Sequence, residues 1–153
     1  MRDFDRPLTA DGRREATAAG GFLAENGMRP DRILCSSAKR TRETLEYAAA
    51  SMPELGPELG EATTFLDSLY NADSVGYLDI VRAAAEARTL LVVGHNPMTE
   101  DLARALAGSG DRTGMARLVA GFPTAGIAVL ETDGDIARLM PGRARLAAFW
   151  APR

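Results

Sequence analysis

The feature that most constrains the fold is Thr89-Leu90-Leu91-Val92-Val93, an apolar run that stops abruptly at Gly94-His95-Asn96-Pro97. A strand without polar alternation has no face to give to water, so it belongs in a parallel sheet covered by helices on both sides. A helix is expected directly after it. Asn96 or Thr99 can cap that helix, Pro97 suits its first turn, and Leu102, Ala103, Leu106 and Ala107 carry an apolar stripe to a stop at Gly108-Ser109-Gly110.

The rest of the chain repeats this alternation. Thr9 to Gly27 reads as an amphipathic helix with Thr9 as N-cap and Asn26-Gly27 as its end. Arg32-Ile33-Leu34-Cys35 is a short strand, followed by Ser36-Ser37 and a helix through Thr44, Leu45, Tyr47 and Ala48. A loop is expected over Ser51 to Gly60, a strand over Glu61 to Leu66 and a helix over Val75 to Ala87. Near the end, Gly126 to Glu131 and Asp135 to Met140 flank Thr132-Asp133-Gly134, an Asp-Gly hairpin signal, and Pro141-Gly142 turns the chain into a last strand, Ala144 to Trp150. With 153 residues and no internal repeat, the expectation is one α/β domain covering residues 1–153. Its architecture is a three-layer sandwich, a mainly parallel sheet with helices on both faces.

Composition narrows the function. Eighteen basic against 21 acidic residues leave a net charge of -3, which disfavours a nucleic-acid partner that needs a broad basic surface. No apolar stretch has the length of a membrane span, and the start Met1-Arg2-Asp3-Phe4-Asp5 carries no signal-peptide core, so a cytoplasmic location is expected. One cysteine and one histidine make neither a disulfide framework nor a His/Cys metal cluster. No metal and no cofactor are expected.

In open α/β sheets, ligands bind beyond the carboxyl ends of the strands. Two such ends carry unusual residues. At the first, Ser36-Ser37-Ala38-Lys39-Arg40-Thr41-Arg42 places hydroxyls and cations at a helix start, where the helix dipole disfavours cations unless an anion shares the site. Arg40 is the cation expected to meet a phosphoryl group, whereas Lys39 and Arg42 read as solvated. At the second sits His95, the only histidine, and if the two strands are neighbours it converges with Arg40 on one pocket. Cys35 is a rival nucleophile only in appearance. A cysteine-dependent phosphatase loop needs Cys-x5-Arg, while Arg40 and Arg42 stand at Cys-x4-Arg and Cys-x6-Arg, so Cys35 reads as core.

Taken in order, Arg6-Pro7-Leu8-Thr9 with Gly12, Ser36-Ser37-Ala38-Lys39-Arg40-Thr41 with Thr44, Leu69-Tyr70-Asn71-Ala72, Val92-Val93-Gly94-His95-Asn96-Pro97 and Phe122-Pro123-Thr124 span nearly the whole chain. The series resembles the SixA-type phosphohistidine phosphatases of the histidine phosphatase superfamily. The resemblance implies a phosphoglycerate mutase-like fold and a metal-independent phosphohydrolase working through a phosphohistidine intermediate. Its substrate would be phosphohistidine in a protein or a small phosphorylated compound. By position it assigns catalytic roles to Arg40 and His95 as phosphoryl clamps, with Ser36, Ser37 and Arg6 as further substrate-binding residues. A carboxylate beside the Leu-Tyr element would protonate the leaving group, and here Asp67 stands one residue before that place, which Ser68 occupies. Glu100 is accounted for by the helix dipole.

The family's nucleophile is a histidine in an Arg-His-Gly motif ending a first strand upstream of the Arg-Pro-Leu-Thr element, which here begins at Arg6. His95 matches the second, phosphate-binding histidine. The nucleophile is therefore expected upstream of Met1, because a sheet lacking that inner strand keeps unpaired edges. The alternative is a pseudophosphatase that binds phosphate or a phosphoprotein without catalysis.

Overall fold

The computed structural model describes residues 1–53 and 58–153. A 3-10 turn at Asp3–Asp5 leads into α1 (Ala10–Glu25), where Thr9 Oγ1 accepts from the Gly12 N–H at 3.0 Å, the cap its sequence position predicts. Then follow β1 (Arg32–Ser36), α2 (Lys39–Ala50), α3 (Glu58–Ala62), β2 (Thr63–Leu66), α4 (Ser68–Asn71), α5 (Ser74–Ala83), β3 (Leu90–Val93) and α6 (Met98–Leu106). The chain closes with β4 (Ala107–Gly110), α7 (Arg112–Ala120), β5 (Ile127–Glu131), a 3-10 turn at Ile136–Arg138 and β6 (Ala144–Trp150). No helix among the described residues is long and apolar enough to cross a membrane.

The α/β architecture is as expected, and β1 shows why. It lies between β2 and β3 in an all-parallel sheet, with Cys35 opposite Phe65 on one side and Val93 on the other. Successive residues of a strand face opposite ways. Leu34 accordingly enters a core with Leu69, Tyr77, Leu78, Val81, Leu102 and Leu106, while Ile33 and Cys35 enter a second one with Leu45 of α2. α1 lies so close on α2 that a Cβ on Gly20 would stand 2.0 Å from the Ala48 carbonyl oxygen.

Four expectations are corrected. The strands form two separately hydrogen-bonded sheets, β2-β1-β3 and β4-β6-β5, the second having β4 parallel and β5 antiparallel to β6. Consequently β3 is half-buried along its length, since among the described residues its only strand partner is β1. The Asp133-Gly134 turn does not join a hairpin to Asp135 to Met140: that stretch holds a 3-10 turn, and β5 pairs instead with β6. Gly108-Ser109-Gly110 does not simply end a helix but forms β4, where Gly108 is needed because a Cβ would stand 1.9 Å from the Gly142 carbonyl. In the expected Ser51 to Gly60 loop, residues 54–57 lie outside the described residues, and α3 occupies part of the remainder.

Candidate functional site

The register of β1 and β3 brings the carboxyl ends of both strands to the same edge of the sheet, so Ser36 and His95 leave it side by side. His95 Nε2 lies 2.7 Å from Ser36 Oγ, and His95 Nδ1 lies 3.3 Å from Arg40 Nη2. An arginine can only donate, so Nδ1 accepts and Nε2 carries the proton toward Ser36. The imidazole is thus held in one neutral tautomer. Burial, followed by the Arg40 charge, pushes its pKa down to about 4, against a smaller opposing effect of Asp3.

Neighbouring elements fix this arrangement. Tyr77, fully buried on α5, accepts from the His95 N–H at 3.1 Å and donates to the Leu69 carbonyl. Its ring lies so near Gly94 that a Cβ there would stand 2.7 Å from Tyr77 Cε2, which explains the glycine before His95. Thr99 Oγ1 donates to the His95 carbonyl at 2.9 Å and Asn96 Nδ2 to the Phe122 carbonyl at 2.9 Å. Neither Asn96 nor Thr99 caps α6, which has Pro97 at its N-cap position with no side-chain cap. Ser36 is fully buried, and its Oγ also accepts from the Ala38 N–H at 3.3 Å. Its hydroxyl is spent on His95 and the turn into α2.

The Arg40 guanidinium has a second partner that the sequence reading did not single out. Nη1 donates to the Asp3 carbonyl at 2.9 Å and Nη2 to Asp3 Oδ2 at 3.1 Å. Oδ2 also accepts from the Tyr70 hydroxyl at 2.7 Å, and Oδ1 accepts from Arg6 Nε at 2.9 Å and from Arg6 Nη2. The Tyr70 hydrogen bond first, then that of Arg6 and the nearby Arg40 charge, hold the Asp3 carboxyl down to about 2. Arg6 therefore reaches the site through Asp3. The Arg6-Pro7-Leu8-Thr9 element is itself tied to α2 by the Leu8 N–H, which donates to Glu43 Oε1 at 2.7 Å. The available signal for Asp3 was its spacing of three residues from Arg6, suited to an ion pair across one turn.

Around these groups, Arg2, Asp3, Phe4, Asp67, Tyr70 and Asn71 line a groove of about 410 Å³. Asp67 is exposed there and precedes α4 with no side-chain cap bond, so it shares the groove with Asp3 while Arg40 and His95 have other partners. Ser37 is nearly buried, and its carbonyl accepts from Arg42 Nε at 2.7 Å. Arg42 is exposed, as expected, and besides that bond its guanidinium lies 4.3 Å from the centre of the Phe65 ring. Lys39 is exposed. Cys35 is fully buried and its thiol is pushed up to about 12 by burial, which makes it a core residue and no nucleophile at neutral pH. Glu100 does more than answer a helix dipole: its Oε1 accepts from the Phe122 N–H at 2.6 Å.

The profile of the histidine phosphatase superfamily (branch 1) matches residues 2–63. The SixA protein of Agrobacterium tumefaciens is 35% identical and superposes with a TM-score of 0.78 over 99% of this chain and 87% of that one. The chain belongs to the histidine phosphatase superfamily and is of the SixA type. A SixA protein from Nakamurella multipartitia gives 34% identity and a TM-score of 0.82 over 99% of this chain and 88% of that one. An uncharacterised protein of Mycobacterium tuberculosis is 41% identical over all of this chain and 93% of its own length. Within this superfamily the chain is a phosphatase by likeness, and its α/β fold is that of its SixA neighbours.

Proposed function

We propose that the protein is a cytoplasmic, metal-independent phosphohydrolase acting on phosphohistidine in a protein or on a small phosphorylated substrate, with Arg40 and His95 as its phosphoryl clamp. The observation that carries this reading is the Arg40–His95–Ser36 chain at the carboxyl ends of two neighbouring parallel strands. An arriving phosphoryl dianion brings negative charge to Nδ1 and favours its protonation, so that an imidazolium and a guanidinium together bind the equatorial oxygens. Attack on phosphorus by a histidine nitrogen breaks the bond to the leaving group, which takes up a proton, and water then hydrolyses the phosphoenzyme. Asp67, in the wall of the groove, is the carboxylate assigned to the leaving group; Ser36 serves the site by orienting His95 and Arg6 by holding Asp3, with Ser37 beside them at the turn into α2.

The attacking histidine in this reading stands on one further strand between β3 and β5. Support comes from the two sheets. β3 and β5 each end a three-stranded sheet, and Val92 and Leu130 pack on the same core, so one strand between them would join both. A second reading has its own observation: both ring nitrogens of His95, the one histidine of the sequence, are engaged with Ser36 and Arg40, which suits a phosphate-binding module without catalysis. Hydrolysis of a radiolabelled phosphohistidine peptide by the protein isolated from its own cells separates the two. Turnover with an acid-labile phosphoenzyme, lost in Arg40→Ala and His95→Ala, supports the enzyme; phosphate binding without a phosphoenzyme supports the module.

A further inference from the structure

We infer that Asp3 is a positioning residue that holds the plane of the Arg40 guanidinium against His95. The inference rests on the reading of Arg40 and His95 as a phosphoryl clamp, and it adds a residue to which that reading gives no role.

Asp3 grips Arg40 at two points, through its carbonyl to Nη1 and its carboxylate to Nη2. One ion pair leaves a guanidinium free to rotate, whereas two bonds to its two terminal nitrogens fix the plane. Without Asp3, the contact left to Nη2 is the neutral His95 Nδ1 at 3.3 Å, a long hydrogen bond. An exposed ion pair alone would count for little, and Asp3 is 45% exposed in its side chain. Asp3, however, is held in turn. Arg6 takes Oδ1, Tyr70 takes Oδ2, and Phe4 packs edge-on against Tyr70 with ring centres 5.0 Å apart. The Tyr70 ring stands edge-on to His95 at 5.3 Å. Asp3, Arg40, His95 and Tyr70 therefore form a closed circuit drawn from four segments of the chain, in which the aim of Arg40 depends on the carboxylate.

A different role would give the opposite sign. As a negative charge close to Arg40, Asp3 could merely occupy the place of the phosphoryl group, in which case removing it would free the clamp.

The experiment uses the single histidine, whose imidazole gives one set of NMR signals in the whole protein. The groups facing it are Arg40, Asp3, Tyr70, Ser36 and Tyr77. Wild type, Asp3→Asn, Asp3→Glu and Arg40→Ala are titrated with acid and then, at neutral pH, with inorganic phosphate. Thermal unfolding shows that each variant is folded. If the Asp3 carboxylate holds Arg40, Asp3→Asn leaves only the main-chain carbonyl firmly on Nη1 and lets Nη2 swing away from Nδ1, so the His95 midpoint rises toward that of Arg40→Ala. Phosphate binding weakens by about tenfold, and Asp3→Glu restores part of both. A midpoint that falls below wild type means that Asp3 contributes only its charge, and tighter phosphate binding by Asp3→Asn means that it competes for the clamp; either overturns the inference. Wild-type protein whose His95 signals ignore phosphate would overturn the clamp, while the order of the midpoints would still decide whether Asp3 holds Arg40.

Discussion

Arg40 Nη2 stands 3.3 Å from Nδ1 of His95, a contact across 55 residues of sequence that sets which ring nitrogen of the chain's one imidazole accepts. A guanidinium facing Nδ1 makes that nitrogen an acceptor, and the Ser36 hydroxyl at 2.7 Å completes the tautomer on the other side. In the proposed reading, this pair meets an anion with one permanent cation and one base that can become a second.

Replacement of Arg40 by lysine tests whether geometry or charge matters there. Lysine keeps a positive charge but cannot reach Asp3 and His95 with two fixed nitrogens. Phosphate affinity of Arg40→Lys, measured by calorimetry, is expected to fall by about tenfold or more, close to the loss in Arg40→Ala. Full affinity in the lysine variant would show that the two-point geometry is unimportant.

The buried imidazole makes stability depend on pH in a defined window. His95 has its pKa lowered from 6.5 to about 4, so between those values the unfolded chain binds the proton that the folded chain refuses. Stability is therefore complete above about pH 6.5 and is lost as the pH falls through 4, by an amount on the order of 3 kcal/mol. Asp3, held from 3.8 down to about 2, acts in a lower window: what it contributes is present above 3.8 and disappears as the pH falls through 2. Urea unfolding of wild type and His95→Gln at pH 7, 5.5 and 4 isolates the histidine, whose variant should lose less stability across that range.

Ser36→Ala removes the acceptor of a buried N–H while leaving the fold of β1 intact. The Ala38 N–H loses its partner in the same substitution. The expected loss is about 1–3 kcal/mol in denaturant unfolding. The His95 signals should also lose their single-tautomer pattern, so an unchanged ring spectrum would argue that Ser36 does not orient the imidazole.

Gly20→Ala tests the packing of α1 on α2. A methyl group there meets the Ala48 backbone carbonyl at 2.0 Å, and neither backbone can give way locally. Separation of α1 from α2 is expected to cost about 3 kcal/mol, read as a lowered Tm. A Tm within a degree of wild type would show that the two helices slide apart freely.

Much of this protein can be read along the chain. The apolar run before His95, the Thr9 cap and the strand ending at Ser36 follow from local rules, because a helix cap or a buried strand depends on residues a few positions apart. The same rules placed Arg40 and His95 at strand ends, and the family's motifs are short and contiguous. Other features arise only between distant segments. That β5 turns to β6 and not to Asp135 to Met140, and that β3 has β1 as its only strand partner among the described residues, depend on which strands meet. A local Asp-Gly signal cannot know this. Likewise nothing in Met1 to Asp5 marks Asp3 as the residue that takes hold of Arg40, 37 positions away, nor Tyr77 as the support of the His95 backbone. Residue types and their order determined the kind of chemistry; the register of two parallel strands and the return of one turn onto α2 decided which side chains touch, because hydrogen bonds act over about 3 Å in space and take no account of distance along the chain.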